Sequence, residues 1–135
     1  MALISKTYRF EAAHQLVGHK GQCANLHGHS YVLEVRLQGP IKRMDADIKT
    51  DDGMVIDFSD INDFVKPMVD DHLDHRCLND LPAIFRPTAE RIACWAFGYL
   101  RWEGLMVHSI VLHETHSSYV QVFEQDWRES GLWPQ

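Results

Sequence analysis

Two runs of alternating residues set the limits on how this chain folds. In "KTYRFEAAH", Tyr8, Phe10, Ala12 and His14 share one face, while Arg9, Glu11 and Ala13 share the other. In "HSYVLEVRLQG" the corresponding face is His29, Tyr31, Leu33, Val35 and Leu37, and His27 falls on the same parity. A period of two puts alternate side chains on opposite faces of a strand, so both runs predict strands with one buried face. Imidazoles stand where the two apolar faces approach the connecting loop. That loop, "GHKGQCANLHG", adds the thiol of Cys23.

The rest of the chain switches period. After "GPIKRMDADIKTDDG", a long polar loop, "MVIDFSD" runs into a helix. Ile61, Phe64, Val65, Met68, Val69, His72 and Leu73 follow its three-four spacing, and Pro67 predicts a kink or break there. A second helix is predicted from about Ala89 to Glu103, with Thr88 as N-cap, Glu90 in the first turn and a buried stripe of Ile92, Trp95, Ala96, Tyr99 and Leu100. Two strands follow, "MVHSIVLHET" and "SYVQVFEQ", turning near His116 and Ser117. "EQDWRESGLWPQ" reads as an extension past the last strand. The order strand, strand, helix, helix, strand, strand predicts an α+β domain over residues 1–135, with both helices on one face of two antiparallel hairpins.

Composition narrows the partners. A formal net charge of -6 argues against a broad nucleic-acid-binding surface. Three cysteines without framework spacing point to a reducing compartment. The N-terminal residues lack the apolar segment of a signal peptide. No run approaches the roughly 20 apolar residues that span a membrane. The expectation is a cytoplasmic protein. Nine histidines in 135 residues hint at a metal.

His27 and His29 lie two apart on a strand, so both can reach one ion, and His14 ends the neighbouring strand on the matching face. Three neutral imidazoles suit Zn²⁺ and leave a fourth position open, the catalytic rather than the structural pattern. Cys23 is a fourth ligand, a base beside the metal, or inert. Thiolate chemistry needs a lowered pKa, which a cation or a histidine supplies. Asp74 and His75 in "LDHRCLND" offer a carboxylate-oriented imidazole. Glu114 shares the parity of Ile110 and Leu112, and a carboxylate on an apolar face needs a partner. A protein cation or a ligand with two parallel N–H groups would serve. Cys94 reads as a small core residue. Cys77, His19, His108, His113 and His116 carry no assigned role.

"FEAAH", "CANLHGHSY", "VIDFSDI", "LDHRCLND", "PTAE" and "HET" occur in that order. Together they resemble the 6-pyruvoyltetrahydropterin synthase / 6-carboxytetrahydropterin synthase family over nearly the whole chain. The spacing from Cys23 to His27 is similar to the bacterial 6-carboxytetrahydropterin synthases of queuosine biosynthesis. The resemblance implies the tunnelling fold, a four-stranded antiparallel sheet with two helices on one face. It implies homo-oligomers, trimers or dimers of trimers, with active sites at subunit interfaces. It implies zinc on His14, His27 and His29, Cys23 as catalytic base, and Asp74 with His75 as proton relay. Glu114 would anchor the pterin and is sometimes counted in the relay; Thr88 and Glu90 would make further pterin contacts. The implied substrate is 7,8-dihydroneopterin triphosphate, giving 6-carboxy-5,6,7,8-tetrahydropterin, acetaldehyde and triphosphate. The alternatives are triphosphate elimination to the 6-pyruvoyl product, or a zinc-stabilised pterin- or purine-binding module without turnover. The triphosphate needs cations, for which Lys20 and Arg9 are candidates.

Overall fold

The computed structural model describes residues 1–132; the end of the C-terminal extension, 133–135, lies outside the described residues. The first two strands are longer than their alternation predicts: β1 is Ala2–His14 and β2 is His27–Gly39. They pair antiparallel from Ala2 opposite Gly39 to His14 opposite His27. Tyr8, Phe10, Ala12 and His14 of β1 and Tyr31, Leu33, Val35 and Leu37 of β2 are all buried, so the period-two reading gives the correct face. Phe10 stacks on Tyr31 with ring centroids 4.8 Å apart.

Helix α1 is Phe58–Met68, with the Asp57 carboxylate accepting from the Ser59 N–H as its cap. Pro67 does not end it. The chain instead widens into a π turn over Val69–Leu73, closed by the Asp74 N–H donating to the Val69 carbonyl. The turn delivers Asp74 and His75 to the edge of β1. There Arg76–Cys77 forms β3, a two-residue strand parallel to β1 at Ala12 and Ala13. Helix α2 is Ala89–Trp102 with Thr88 as N-cap, and it is buried almost all round, at Ala93, Cys94, Phe97 and Gly98 as well as along the expected stripe except at Tyr99, which is half-buried. Strands β4, Val107–Thr115, and β5, Ser118–Phe123, complete a five-stranded sheet ordered β3-β1-β2-β4-β5.

Two features differ from the sequence expectation. The sheet has a fifth, parallel strand, too short to show any period. "EQDWRES" is not a simple extension: Glu124–Ser130 forms α3, with Asp126 accepting from the Phe123 N–H at 2.8 Å and Gly131 in the left-handed conformation beyond its end. Its single buried residue, Trp127, packs over α2 at Gly98, and its indole N–H donates to the Leu132 carbonyl at 2.8 Å. A Cβ at Gly98 would fall on the Trp127 indole. Gly98→Ala should therefore cost about 1–3 kcal/mol through overpacking. A thermal melt lowered by several degrees, with the native circular dichroism spectrum kept at low temperature, checks this.

Candidate metal centre

The β1–β2 register builds the site. His14 faces His27 directly and His29 faces Ala12, so one ladder step brings three imidazoles together. Glu114 arrives from β4 through a bulge. The β4–β5 pairing passes from His113 opposite Tyr119 to Thr115 opposite Ser118, leaving Glu114 as the extra residue. One nitrogen from each of His14, His27 and His29 and one Glu114 oxygen lie within 4.8 Å of one another. The Cys23 sulfur is not in this group.

Hydrogen bonding fixes which nitrogens face inward. His14 Nδ1 lies 2.7 Å from the Pro87 carbonyl, and His27 Nδ1 lies 2.7 Å from the Asn25 carbonyl. A carbonyl only accepts, so both rings carry their proton on Nδ1, and each Nε2 of a neutral ring is a bare lone pair. Yet His14 Nε2 and His27 Nε2 are 3.0 Å apart. Two lone pairs at that distance repel unless a cation sits with them. His29 Nε2 is buried with no hydrogen-bond partner, although Glu114 Oε1 lies 2.9 Å away. The separation is short, but the alignment is not that of a hydrogen bond. Burial holds His29 below the usual imidazole range, the Glu114 carboxylate pulls it upward, and His14 and His27 add a smaller push down. Neutral imidazoles are the ligating form. These residues fit a divalent cation, and the Pro87 and Asn25 carbonyls orient two of the imidazoles in the way outer partners orient ligating histidines.

The other expected residues divide. Pro87 brings the N-terminus of α2 to the cluster; Thr88 caps it, its hydroxyl accepting from the Arg91 N–H at 3.3 Å, and Glu90 is exposed. Asp74 and His75 pair, Oδ2 to Nδ1, at 2.9 Å. The Glu11 N–H donating to Asp74, and then His75, hold the Asp74 carboxyl below its ordinary range. His75 adopts a left-handed backbone, φ 57°, unusual for a residue with a Cβ. Its N–H donating to the Glu11 carbonyl at 2.6 Å holds it there. The side chain is 80% exposed. It borders a recess of about 500 Å³ on the open sheet face, together with Cys77 and His29. Cys23 sits in a single helical turn, Gln22–Ala24, whose base is tied by the Leu16 N–H donating to the Cys23 carbonyl. Among the described residues no hydrogen bond or ion pair joins Cys23 to His75. His113, in β4, and His116, exposed in the turn after it, border a second recess with His29 and Glu114.

A family model described as 6-pyruvoyl tetrahydropterin synthase matches residues 3–125. A 6-carboxy-5,6,7,8-tetrahydropterin synthase from Synechocystis is 40% identical, covering 91% of this chain and 94% of its own length. The protein of the same name from Haemophilus influenzae is 37% identical, covering 92% and 100%. Among solved structures, the Caenorhabditis elegans 6-pyruvoyl tetrahydropterin synthase superposes with a TM-score of 0.75 at 24% identity, over 90% of this chain and 94% of that one. The Plasmodium falciparum protein of that name gives 0.69 at 22%, over 90% and 96%. These structural likenesses carry the tunnelling fold.

Proposed function

The chain belongs to the 6-pyruvoyl tetrahydropterin synthase family, and from that premise we propose that it is a zinc-dependent lyase of queuosine biosynthesis. It converts 7,8-dihydroneopterin triphosphate and one water to 6-carboxy-5,6,7,8-tetrahydropterin, acetaldehyde and triphosphate. One observation carries the reading: one nitrogen from each of three imidazoles converges with a carboxylate oxygen, two of them as lone pairs 3.0 Å apart, in a chain similar over nearly its whole length to 6-carboxytetrahydropterin synthases. His14, His27 and His29 would hold the metal. When bound, it supplies Lewis acidity to the hydroxyl oxygens of the pterin side chain.

The protein's own groups do the rest. Cys23, as thiolate, removes a carbon-bound proton from the side chain. Asp74 accepts the Nδ1–H of His75 and so leaves Nε2 of that imidazole to give and take protons. A carboxylate held below its ordinary range stays ionised for this task at neutral pH. Thr88 and Glu90, beside the Pro87 carbonyl, border the ring's place. Glu114 accepts the ring N–H and exocyclic amino group of the pterin as a bidentate pair. The protein acts as a homo-oligomer, trimeric or a dimer of trimers. Two bare edges support this: β3 covers β1 only at Ala12 and Ala13, and β5 has no partner on its outer side among the described residues.

Incubation with dihydroneopterin triphosphate tests the reaction. Stoichiometric acetaldehyde is expected; a 6-pyruvoyl product without acetaldehyde would assign the eliminating reaction, and no turnover would leave only binding. Glu114 has its own test. Glu114→Gln keeps the shape but turns one acceptor into a donor facing the ligand's N–H. Pterin affinity should fall about 10- to 100-fold by titration with a non-reactive pterin, with metal content and melting temperature kept. Loss of metal together with affinity would make Glu114 a ligand of the ion instead.

A further inference from the structure

The outer edge of β1 is paired by β3 over only two residues, Arg76 and Cys77 beside Ala12 and Ala13. Continued, that parallel ladder would put residue 78 beside His14 and residue 79 beside Gln15. The chain instead coils into a 3₁₀ turn, Leu78–Asp80, and the backbone pairing stops. The Asn79 side chain takes it over. Its Oδ1 accepts from the Gln15 N–H at 2.9 Å, and its Nδ2 donates to the Gln15 carbonyl at 2.9 Å. A carboxamide carries both a donor and an acceptor, as a peptide unit does, so one side chain serves both backbone groups of a strand-end residue.

Gln15 is a junction. On one side of it stands His14, whose ring faces His27 and is held by the Pro87 carbonyl. On the other side the Leu16 N–H donates to the Cys23 carbonyl at 2.7 Å, closing the base of the loop that carries that thiol. The loop's other bonds are internal or reach only the His27 ring: His19 to Leu16, Gly21 to His19, Ala24 to Gly21, Asn25 to Gln22. Among the described residues, no hydrogen bond except the Asn79 pair ties residues 15–26 to the structure outside the β1–β2 unit. Packing adds little, since Leu16 is buried but Val17 and Leu26 are exposed. Asn79 also lies only four residues past His75, on the segment that grips β1 through the Asp74 carboxylate and the His75 N–H at Glu11. One amide thus connects the His75 turn, the end of β1 at His14 and the loop of Cys23.

We propose that Asn79 is a positioning residue. By clamping Gln15 it fixes the end of β1, and with it the reach of His14 toward His27 and the place of the Cys23 loop. That the positioned groups turn over a pterin rests on the function proposed above; the coupling of Asn79 to the imidazole cluster and the loop does not.

Hydrogen exchange resolved along the full chain, with visible spectra of the cobalt(II)-substituted protein, tests it. Asn79→Ala should speed exchange across residues 15–26 roughly 10- to 100-fold, the loss of two hydrogen bonds, while α2 and β4 keep wild-type rates. Cobalt(II) should bind about 10-fold more weakly and with an altered spectrum, because the spectrum reports how the imidazoles are arranged. Asn79→Asp has the same size but sets a carboxylate oxygen against the Gln15 carbonyl, so it should behave as Asn79→Ala does; a space-filling role would leave it like wild type. Gly98→Ala, which lowers stability through α2 and α3, should leave the loop's exchange and the cobalt spectrum unchanged, separating local release from global loss. In wild type the Gln15 amide should exchange slowly beside the amides of residues 17–20, and a fast Gln15 amide would overturn the proposal with no variant needed. Wild-type exchange over residues 15–26 in both Asn79 variants would also overturn it, as would loosening spread evenly over every segment. A loosened loop and altered cobalt spectrum in a protein that turns over no pterin would uphold the positioning role and remove the reaction assigned above.

Discussion

His29→Ala protein should carry no zinc and lose turnover by at least roughly 10³-fold, the several kcal/mol that a bound metal contributes to a transition state. His29 is the best of the three imidazoles for this experiment. His14 is fully buried and bonded to Pro87, so its removal would leave a cavity and an unpaired carbonyl, and lost activity could mean lost fold. The His29 side chain is 18% exposed, and its Nε2 has no hydrogen-bond partner to abandon. Truncation also removes a half-buried imidazole whose charged form burial disfavours, so the metal-free variant should melt no lower than metal-free wild type. Metal analysis, melting with and without added zinc, and acetaldehyde release together decide it. A zinc-induced rise in melting temperature should be seen in wild type and be absent in the variant. Full activity in a verified zinc-free sample would end the metal assignment.

The strands and the histidine face were legible because alternation reports burial directly, and β1 and β2 are buried on one side along most of their length. Helix α2 was legible from its three-four apolar spacing and its Thr88 cap. Helix α3 was not. Seven residues with one buried side chain give no period, and what holds the helix is tertiary: Trp127 over the bare face of Gly98. Asp126 after Phe123 and the glycine at 131 were its only local signals. The two-residue β3 and the π turn before it likewise depend on partners distant in sequence. At the site, sequence gave the three imidazoles but left the partner of Glu114 open between a protein cation and a ligand. The fold brings it to the imidazoles themselves, through a bulge in which one extra residue re-aims a carboxylate. Arg9 shows the complementary case. Its place on the outward parity was readable, but the recess it shares with His113 exists only once three strands are in register.

Cys23→Ala and His75→Ala should each lose on the order of 10²-fold or more in turnover while keeping zinc, since each removes one end of a proton-transfer system and no metal ligand. The structure gives a reason to expect more from the pair than from either alone. His75 is 80% exposed on a turn at the β3 edge, oriented by Asp74, and Cys23 sits in the connection between β1 and β2 with no bond to it. An imidazole held in a left-handed turn by two hydrogen bonds is costly to arrange for no purpose. Its orientation has chemical use when another subunit's edge docks alongside and presents a thiol. If each site takes Cys23 from one chain and His75 from its neighbour, random co-assembly of the two inactive variants rebuilds about one quarter of the sites with both groups native. Co-expression with different tags, purification of doubly tagged oligomers and assay of acetaldehyde release should show that recovery. Homo-oligomers of either variant should stay inactive. Mixed oligomers as inactive as their parents would put Cys23 and His75 at the same chain's site, and the exposed edge of β3 would then need another explanation.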